Sequence, residues 1–166
     1  MKKTKELKLV ALSEIPKGGC CPQDPMALYA LGLQMESLCK SVGGVGLSAV
    51  QVGLPYNFFV TVVDGKTEFW VDCLYEGADG WVGTVESCLS LRGKDGQLET
   101  YSVKRHKSVT VVGKKLVVEE SSPSPTLVDI KQNIEGGMSI ILQHEIDHAE
   151  GTLISHIGEQ VFFFRS

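Results

Sequence analysis

The middle of the chain contains a run of short β-prone segments with no helical segment between them. They are rich in valine, phenylalanine and threonine, and Asp64-Gly65 separates two of them as a tight hairpin turn would. The predicted strands are Asn57 to Val63, Lys66 to Val71, Val82 to Val85, Leu98 to Val103, Val109 to Val112 and Leu116 to Val118, the last two joined by a turn at Gly113-Lys114. Strands grouped in this way, without βαβ alternation, predict an antiparallel or mixed sheet.

A helix is predicted on each side of this block. Asp24-Pro25 is typical of a helix start, and the apolar spacing that follows predicts a helix from about residue 25 to 40. After an exposed loop predicted at 121–125, Asn133 is the expected cap of a second helix that ends near Gly151. We therefore predict an α+β fold, with antiparallel or mixed sheets packed around a C-terminal HExxH helix and with an N-terminal helix.

Composition limits the class of protein. The chain has 166 residues, 43% hydrophobic and 22% charged, which suits one catalytic domain over residues 1–166. A net charge of −4 argues against a surface built for nucleic-acid phosphates. No apolar run approaches the roughly 20 residues of a membrane-spanning helix, and the first ten residues lack the apolar core of a secretory signal. Five cysteines, an odd number, favour reduced thiols, and we expect a cytoplasmic protein.

The strongest chemical signal is the HEIDH sequence on the second predicted helix. The i, i+4 spacing of His144 and His148 places both imidazoles on one face, where they can bind the same metal ion. Glu145 lies about 100° further round the helix, which places it beside the ion as a proton carrier and not as a ligand.

A hydrolytic metal centre of this kind needs a third protein ligand. Position 154, where a third histidine would stand in a metzincin, is Ile154, so we expect no ligand downstream of the motif. The remaining candidates are His106 and the five cysteines, and Cys88 is notable because it follows a predicted strand.

Three segments resemble the signature motifs of the peptide deformylase family and occur in the family's order. They are Gly44 to Gln51 (GVGLSAVQ), Glu86 to Ser90 (ESCLS) and Gln143 to Gly151 (QHEIDHAEG). The similarity covers roughly residues 25 to 155, and the chain looks like a short, divergent member of the family. It departs from the usual pattern at Ser48, Ser87, Ala149 and Asp72-Cys73.

The resemblance implies a metal-dependent hydrolase that removes the N-formyl group from nascent formylmethionyl peptides and releases formate. Cys88, His144 and His148 would bind one divalent metal ion, Fe²⁺ natively, with Zn²⁺, Ni²⁺ or Co²⁺ able to occupy the same site. Glu145 would accept a proton from the attacking water and pass it to the departing amine.

The resemblance also implies an oxyanion site and a peptide cleft. The side-chain amide of Gln51 and the backbone N–H of Leu89 would donate to the oxyanion. Glu86 and Asp147 would orient the ligands by hydrogen bonding. The expected substrate-binding residues are Gly44, Val45, Gly46, Glu86, Arg105, Ile140 and Ile141, with Val45 and the two isoleucines as walls of a methionine pocket and the glycines admitting an extended peptide.

The family also sets expectations for partners and location. The partners would be nascent formyl-Met peptides near the ribosome, without direct contact to nucleic acid or membrane, and the protein would be a monomer in the cytoplasm of a bacterium or a virus-infected host, or in an organelle. Two other functions stay open at this point. One is a zinc peptidase that uses the same helix, and the other is a catalytically silent peptide-binding metalloprotein.

Overall fold

The computed structural model describes residues 6–163, and most of them belong to one antiparallel sheet and two long helices. Two short 3₁₀ helices, Leu12–Glu14 and Ala49–Val52, accompany the main elements. In chain order the main elements are α1 (Pro25–Ser41), β1 (Gly46–Ser48), β2 (Phe58–Val63), β3 (Lys66–Arg92), β4 (Leu98–Glu119), β5 (Ser122–Glu135), α2 (Gly136–Glu150), α3 (Ile154–Ile157) and β6 (Glu159–Val161). The strand order is β1-β2-β3-β4-β5, with β6 paired to β4, and every pair of strands is antiparallel. The predicted α+β class is confirmed.

The predicted first hairpin forms around Asp64-Gly65. Val63 pairs with Lys66, so Asp64 and Gly65 alone make the turn. Both have a positive φ, 50° for Asp64 and 76° for Gly65, as a type I′ turn requires. The turn therefore fixes the register of β2 against β3.

Strand β2 is buried on both faces. Phe58 and Val60 point to the core cluster that contains Leu28 and Met35 of α1, whereas Phe59 points to the cluster that contains Leu142 and Ile146 of α2. Successive side chains of a strand point to opposite faces, so this part of the sheet separates the two helices. Because both faces are covered, the strand can consist of the continuous apolar run FFV.

Helix α1 begins where its sequence signals predict. The Asp24 carboxylate accepts hydrogen bonds from the backbone N–H groups of Met26 and Ala27, which satisfies two of the free donors of the first turn. Gly32 faces the sheet, and a side chain there would press against the ring of Phe69. The helix thus lies close to the sheet because this position is a glycine.

Three predictions about the second half of the chain are wrong. Gly113-Lys114 is not a turn, because β4 continues through it. The segment at 121–125 is not a loop, because β5 begins at Ser122 and the turn is confined to residues 120–121. Asn133 does not cap a helix, because β5 continues to Glu135 and α2 starts at Gly136, whose φ of 65° turns the chain. The proline-containing strand is at the edge of the sheet, where a missing backbone donor is tolerated.

The end of α2 agrees with its prediction. Gly151 adopts a left-handed conformation with φ of 83°, and its N–H bonds back to the helix carboxyl end. None of the helices within residues 6–163 combines the length and the hydrophobicity that crossing a lipid bilayer requires.

Gly113 provides a test of this packing. It has φ of 150°, and a Cβ there would lie 2.7 Å from Cys73 Sγ and 2.8 Å from Cys73 Cα, opposite an irregularity of β3. We predict that Gly113→Ala lowers the free energy of unfolding by about 1–3 kcal/mol, because the neighbouring backbone must move. Urea unfolding of both proteins measures the difference.

The matched control is Gly83→Ala, at a glycine of β3 whose Cβ would meet no atom within 4 Å. We expect this variant to be at least as stable as the original chain, since alanine costs less conformational entropy than glycine. Equal destabilisation at both positions would contradict the packing argument.

Candidate metal centre and cleft

The metal-ligand candidates meet where β3 leaves its regular pairing. Ser87 pairs with Thr100 of β4, but the next paired residue of β3 is Arg92, opposite Leu98. Residues 88–91 therefore lie opposite Glu99 alone, and this irregularity turns Cys88 toward helix α2. A break in pairing beside a functional site is a recurrent way of aiming a side chain.

Helix α2 supplies the other two candidates. Helical spacing brings the rings of His144 and His148 to 4.9 Å between centroids, and Nε2 of His148 lies 3.3 Å from Sγ of Cys88. One donor atom from each of the three residues lies within 4.8 Å of the others. The structure thus brings together the cysteine and the two histidines that were selected from the sequence.

The chemistry and spacing of this set fit a tetrahedral ion. Bonds of ~2.3 Å to sulfur and ~2.0–2.1 Å to nitrogen put neighbouring ligand atoms roughly 3.6 Å apart, close to the spacing of Cys88 and His148. Burial lowers the pKa of His148, which keeps its imidazole neutral, as a metal ligand must be. With three protein donors, a fourth coordination position would remain for water or substrate.

Glu86 holds His144 in place. Its Oε2 lies 2.9 Å from Nδ1 of His144, so the opposite nitrogen of the ring is directed to the site. Arg105 binds the same carboxylate through Nε at 2.8 Å and Nη2 at 2.9 Å, and Thr84 donates to it as well. Burial by itself raises the pKa of Glu86, but these donors outweigh burial and hold the pKa well below its ordinary value.

Arg105 differs from its expected role. It was predicted on the substrate-binding side, but it is only 3% exposed and does not line the cleft. Its guanidinium lies between Glu86 and Asp147, with Nη1 donating to Asp147. A guanidinium that spans two buried carboxylates is not available to a peptide, so Arg105 does not bind the substrate as expected. Asp147, for its part, binds Arg105 and not a metal-ligand candidate.

Glu145 lines the cleft next to His144. It is buried, and its Oε2 has no hydrogen-bond partner within residues 6–163. Burial raises the pKa of Glu145 to about 7, which suits a group that takes up and releases protons near neutral pH. The carboxylate reaches this place because residue 46 is glycine, since any Cβ there would collide with it.

Gln51 lies next to the sulfur atom of Cys88. Its Oε1 accepts from the backbone N–H of Ser48 at 2.9 Å, and its Nε2 is 3.7 Å from Cys88 Sγ. Leu89 follows the cysteine in the unpaired segment of β3 and lines the same cavity. Side-chain and main-chain donors are thereby grouped beside the candidate ligands, an arrangement that can stabilise a developing oxyanion.

A cleft of about 340 Å³ opens onto these groups. It contains every predicted substrate-binding residue except Arg105, namely Gly44, Val45, Gly46, Glu86, Ile140 and Ile141. Three further lining residues were not predicted from the sequence: Gly43, Val85 and Leu98. Strand alternation could have placed Val85 on the same face as Ser87, which also lines the cleft, whereas Leu98 enters the cleft only through the pairing of β4 with β3.

The fold and the site define a class of protein, an α+β domain whose candidate metal centre combines a cysteine of a strand with the two histidines of an HExxH helix. The chain belongs to the polypeptide deformylase family, whose model matches residues 22–160.

Individual relatives agree with this assignment. The chain is 34% identical over 139 residues to a peptide deformylase of Rhodopirellula baltica, which covers 80% of this chain and 62% of that protein. It matches the crystal structure of peptide deformylase from Thermus thermophilus with a TM-score of 0.72 and 25% identity, over 91% of this chain and 83% of the other. A probable peptide deformylase from a synechococcus phage shares the fold, with a TM-score of 0.76 and 23% identity over 91% and 99% of the two chains. The chain spans 50% to 74% of the length of five curated relatives that it matches.

The two hydrogen bonds from Arg105 to Glu86 predict that a substitution of Arg105 lowers the affinity for metal. Arg105→Lys keeps the charge but loses the paired contacts with Glu86, so His144 becomes less firmly oriented. We predict a loss of ~10–100-fold in affinity for Co²⁺ or Zn²⁺, measured by competition with a chromogenic chelator. The control is Lys104→Met, which removes the exposed neighbouring cation and should leave the affinity unchanged. Equal affinities of Arg105→Lys and wild type would show that Glu86 orients His144 unaided.

Proposed function

We propose that this chain is a metal-dependent hydrolase that removes the N-formyl group from formylmethionyl peptides and releases formate. The observation that carries the proposal is the meeting of Cys88, His144 and His148 beside a cleft that His144, Glu145 and Gln51 line. Family membership supports the same reaction. We propose that residues 1–166 act as one catalytic domain and as a monomer.

The three ligands would hold a divalent ion. When bound, such an ion supplies a water activated for attack at neutral pH and positive charge near the developing oxyanion. One thiolate and two imidazoles suit several first-row metals, and we propose Fe²⁺ as the native ion, with Zn²⁺, Ni²⁺ or Co²⁺ as alternatives.

Glu145 would carry the proton through the reaction. Its carboxylate accepts a proton from the attacking water, the new C–O bond forms at the formyl carbon, and the C–N bond then breaks. The same carboxyl group returns the proton to the departing amine nitrogen, which leaves formate and a free amino terminus. The glutamate is suited to both steps because burial brings its pKa to about 7.

Gln51 and Leu89 would stabilise the oxygen of the formyl group. As that oxygen gains negative charge, Nε2 of Gln51 and the backbone N–H of Leu89 donate to it. The carboxamide of Gln51 is held by the backbone N–H of Ser48, and Leu89 directly follows Cys88 in the chain, so both donors would stand close to the reacting group.

The cleft would bind the methionine side chain and the extended peptide. Val45, Ile140 and Ile141 provide apolar walls, and Gly44 and Gly46 leave room for the backbone of the substrate. β1 is at the edge of the sheet, where an extended peptide can pair as an added strand. The substrates would be nascent chains close to the ribosome, in a bacterial or virus-infected cytoplasm or in an organelle.

Formate release tests the proposed function. The protein, purified without oxygen and analysed for metal, is incubated with formyl-Met-Ala-Ser and with Met-Ala-Ser. We predict formate from the first peptide and no cleavage of the second. Glu145→Gln should bind metal normally but lower kcat by ~10²–10⁴-fold, because the side chain can no longer accept the proton.

Other results would contradict this function. Cleavage of peptide bonds in the unformylated peptide would support a zinc peptidase. Peptide binding without any turnover, in protein that is fully loaded with metal, would support a silent binding protein. Full activity of Glu145→Gln would remove the glutamate from the mechanism.

A further inference from the structure

The carboxamide of Gln51 is held at both of its ends. Oε1 accepts from the backbone N–H of Ser48 at 2.9 Å, and Nε2 donates to Oγ of Ser90 at 2.9 Å. Gln51 is only 2% exposed, so water does not compete for these hydrogen bonds. Ser90 belongs to the unpaired segment of β3 and has no role in the function described so far.

The two contacts fix which end of the amide faces the candidate metal centre. A backbone N–H can only donate, so the atom next to Ser48 must be the oxygen of the carboxamide. The NH₂ group therefore faces Ser90 and Cys88. A planar group held at its oxygen and at its nitrogen cannot rotate about χ3 without losing a hydrogen bond.

We propose that Ser90 is a positioning residue that holds the carboxamide of Gln51 in the orientation needed for oxyanion stabilisation. The inference rests on the proposed deformylase function. Ser90 accepts one of the two N–H hydrogens of Gln51, and the other is left for the site. In the structure that second hydrogen has Cys88 Sγ as its neighbour, at 3.7 Å from Nε2. A bound formyl oxygen would take its place.

The main chain of Gln51 is held independently of Ser90. Its carbonyl oxygen accepts from the backbone N–H of Val10 at 2.9 Å, and its 3₁₀ turn ends at Gly53 in a left-handed conformation. Loss of the Ser90 hydroxyl should therefore free the side chain of Gln51 and leave its backbone where it is. This separation makes the proposal testable by substitution.

Kinetics provide the first test. We expect Ser90→Ala to lower kcat by ~10-fold, less than the ~10²–10³-fold cost of losing an oxyanion donor outright, with KM for formyl-Met-Ala-Ser nearly unchanged. Ser90→Thr restores a hydroxyl and should restore most of the rate. Ser102→Ala, at an exposed serine of β4, is the control for loss of a hydroxyl elsewhere. In a Gln51→Ala background, Ser90→Ala should have no further effect, because the group it positions is already gone.

A second test does not depend on activity. ¹⁵N relaxation of the Gln51 side-chain NH₂, assigned by its absence in Gln51→Ala, should show an ordered group in wild type and in Ser90→Thr. In Ser90→Ala it should become mobile, while thermal unfolding and metal content match those of wild type.

Three outcomes would overturn the proposal. They are full activity of Ser90→Ala, an additional loss from Ser90→Ala when Gln51 is already alanine, and an NH₂ group equally ordered with and without the hydroxyl. If wild type itself releases no formate, the proposed function fails instead, and the relaxation experiment still decides whether Ser90 orders the amide.

Discussion

The ion-pair network around Arg105 connects the three elements that build the site. Arg105 comes from β4, Glu86 from β3 and Asp147 from α2, and all three are largely buried. A buried arginine would be strongly unfavourable without these partners, so the helix and the two strands must adopt one relative position. That position sets where His144 and His148 lie with respect to Cys88.

The same network sets part of the net charge around the candidate metal site. Arg105 neutralises only one of the two carboxylates. A Cys88 that binds a metal ion would do so as a thiolate and would add another negative charge. These groups together carry two negative charges, which a divalent ion would balance. The imidazole of His148, whose pKa burial lowers, adds a donor without adding charge. Burial also disfavours a charged His144, but its contacts with Cys88 and Glu86 outweigh burial and raise its pKa to about 10, so a metal ion would have to displace a proton from that ring. Burial raises the pKa of Glu145 to about 7, so this group can change protonation state near neutral pH. The electrostatics therefore favour a dication.

Local signals in the sequence predicted the elements that local chemistry determines. The Asp24 cap, the Asp64-Gly65 turn and the left-handed Gly151 were all found from residue types at fixed positions. The errors occurred where long-range pairing overrides such signals. Pro-containing β5 is a strand because it has β4 beside it, and Gly113 remains within a strand because it accommodates Cys73 across the sheet. Much of the candidate site could also be predicted. The i, i+4 spacing of His144 and His148 predicts that both rings lie on one helix face, and the resemblance to known motifs indicated Cys88, Gln51 and Leu89. The contacts of Arg105 could not be predicted in this way, because they depend on how β3, β4 and α2 pack.

Four of the residues in which the chain departs from its family can be described by their contacts, whereas nothing in the described part of the chain explains Cys73 or the buried, unpartnered hydroxyl of Ser48. Ser48 acts through its backbone N–H, which any residue but proline supplies, and Ser87 turns its hydroxyl to Thr100 at 2.9 Å. Gly18 donates its N–H to the carbonyl of Ala149 at 2.8 Å, and the two residues approach so closely that a Cβ at Gly18 would crowd the Ala149 backbone. Asp72 accepts from the N–H of Cys21 at 2.8 Å. The N–H of Cys21 could also donate to the side-chain oxygen of an asparagine at position 72, so this contact tolerates either residue. Ala149 and Asp72 thus both contact the segment at 18–21, and neither is a group that would carry the chemistry.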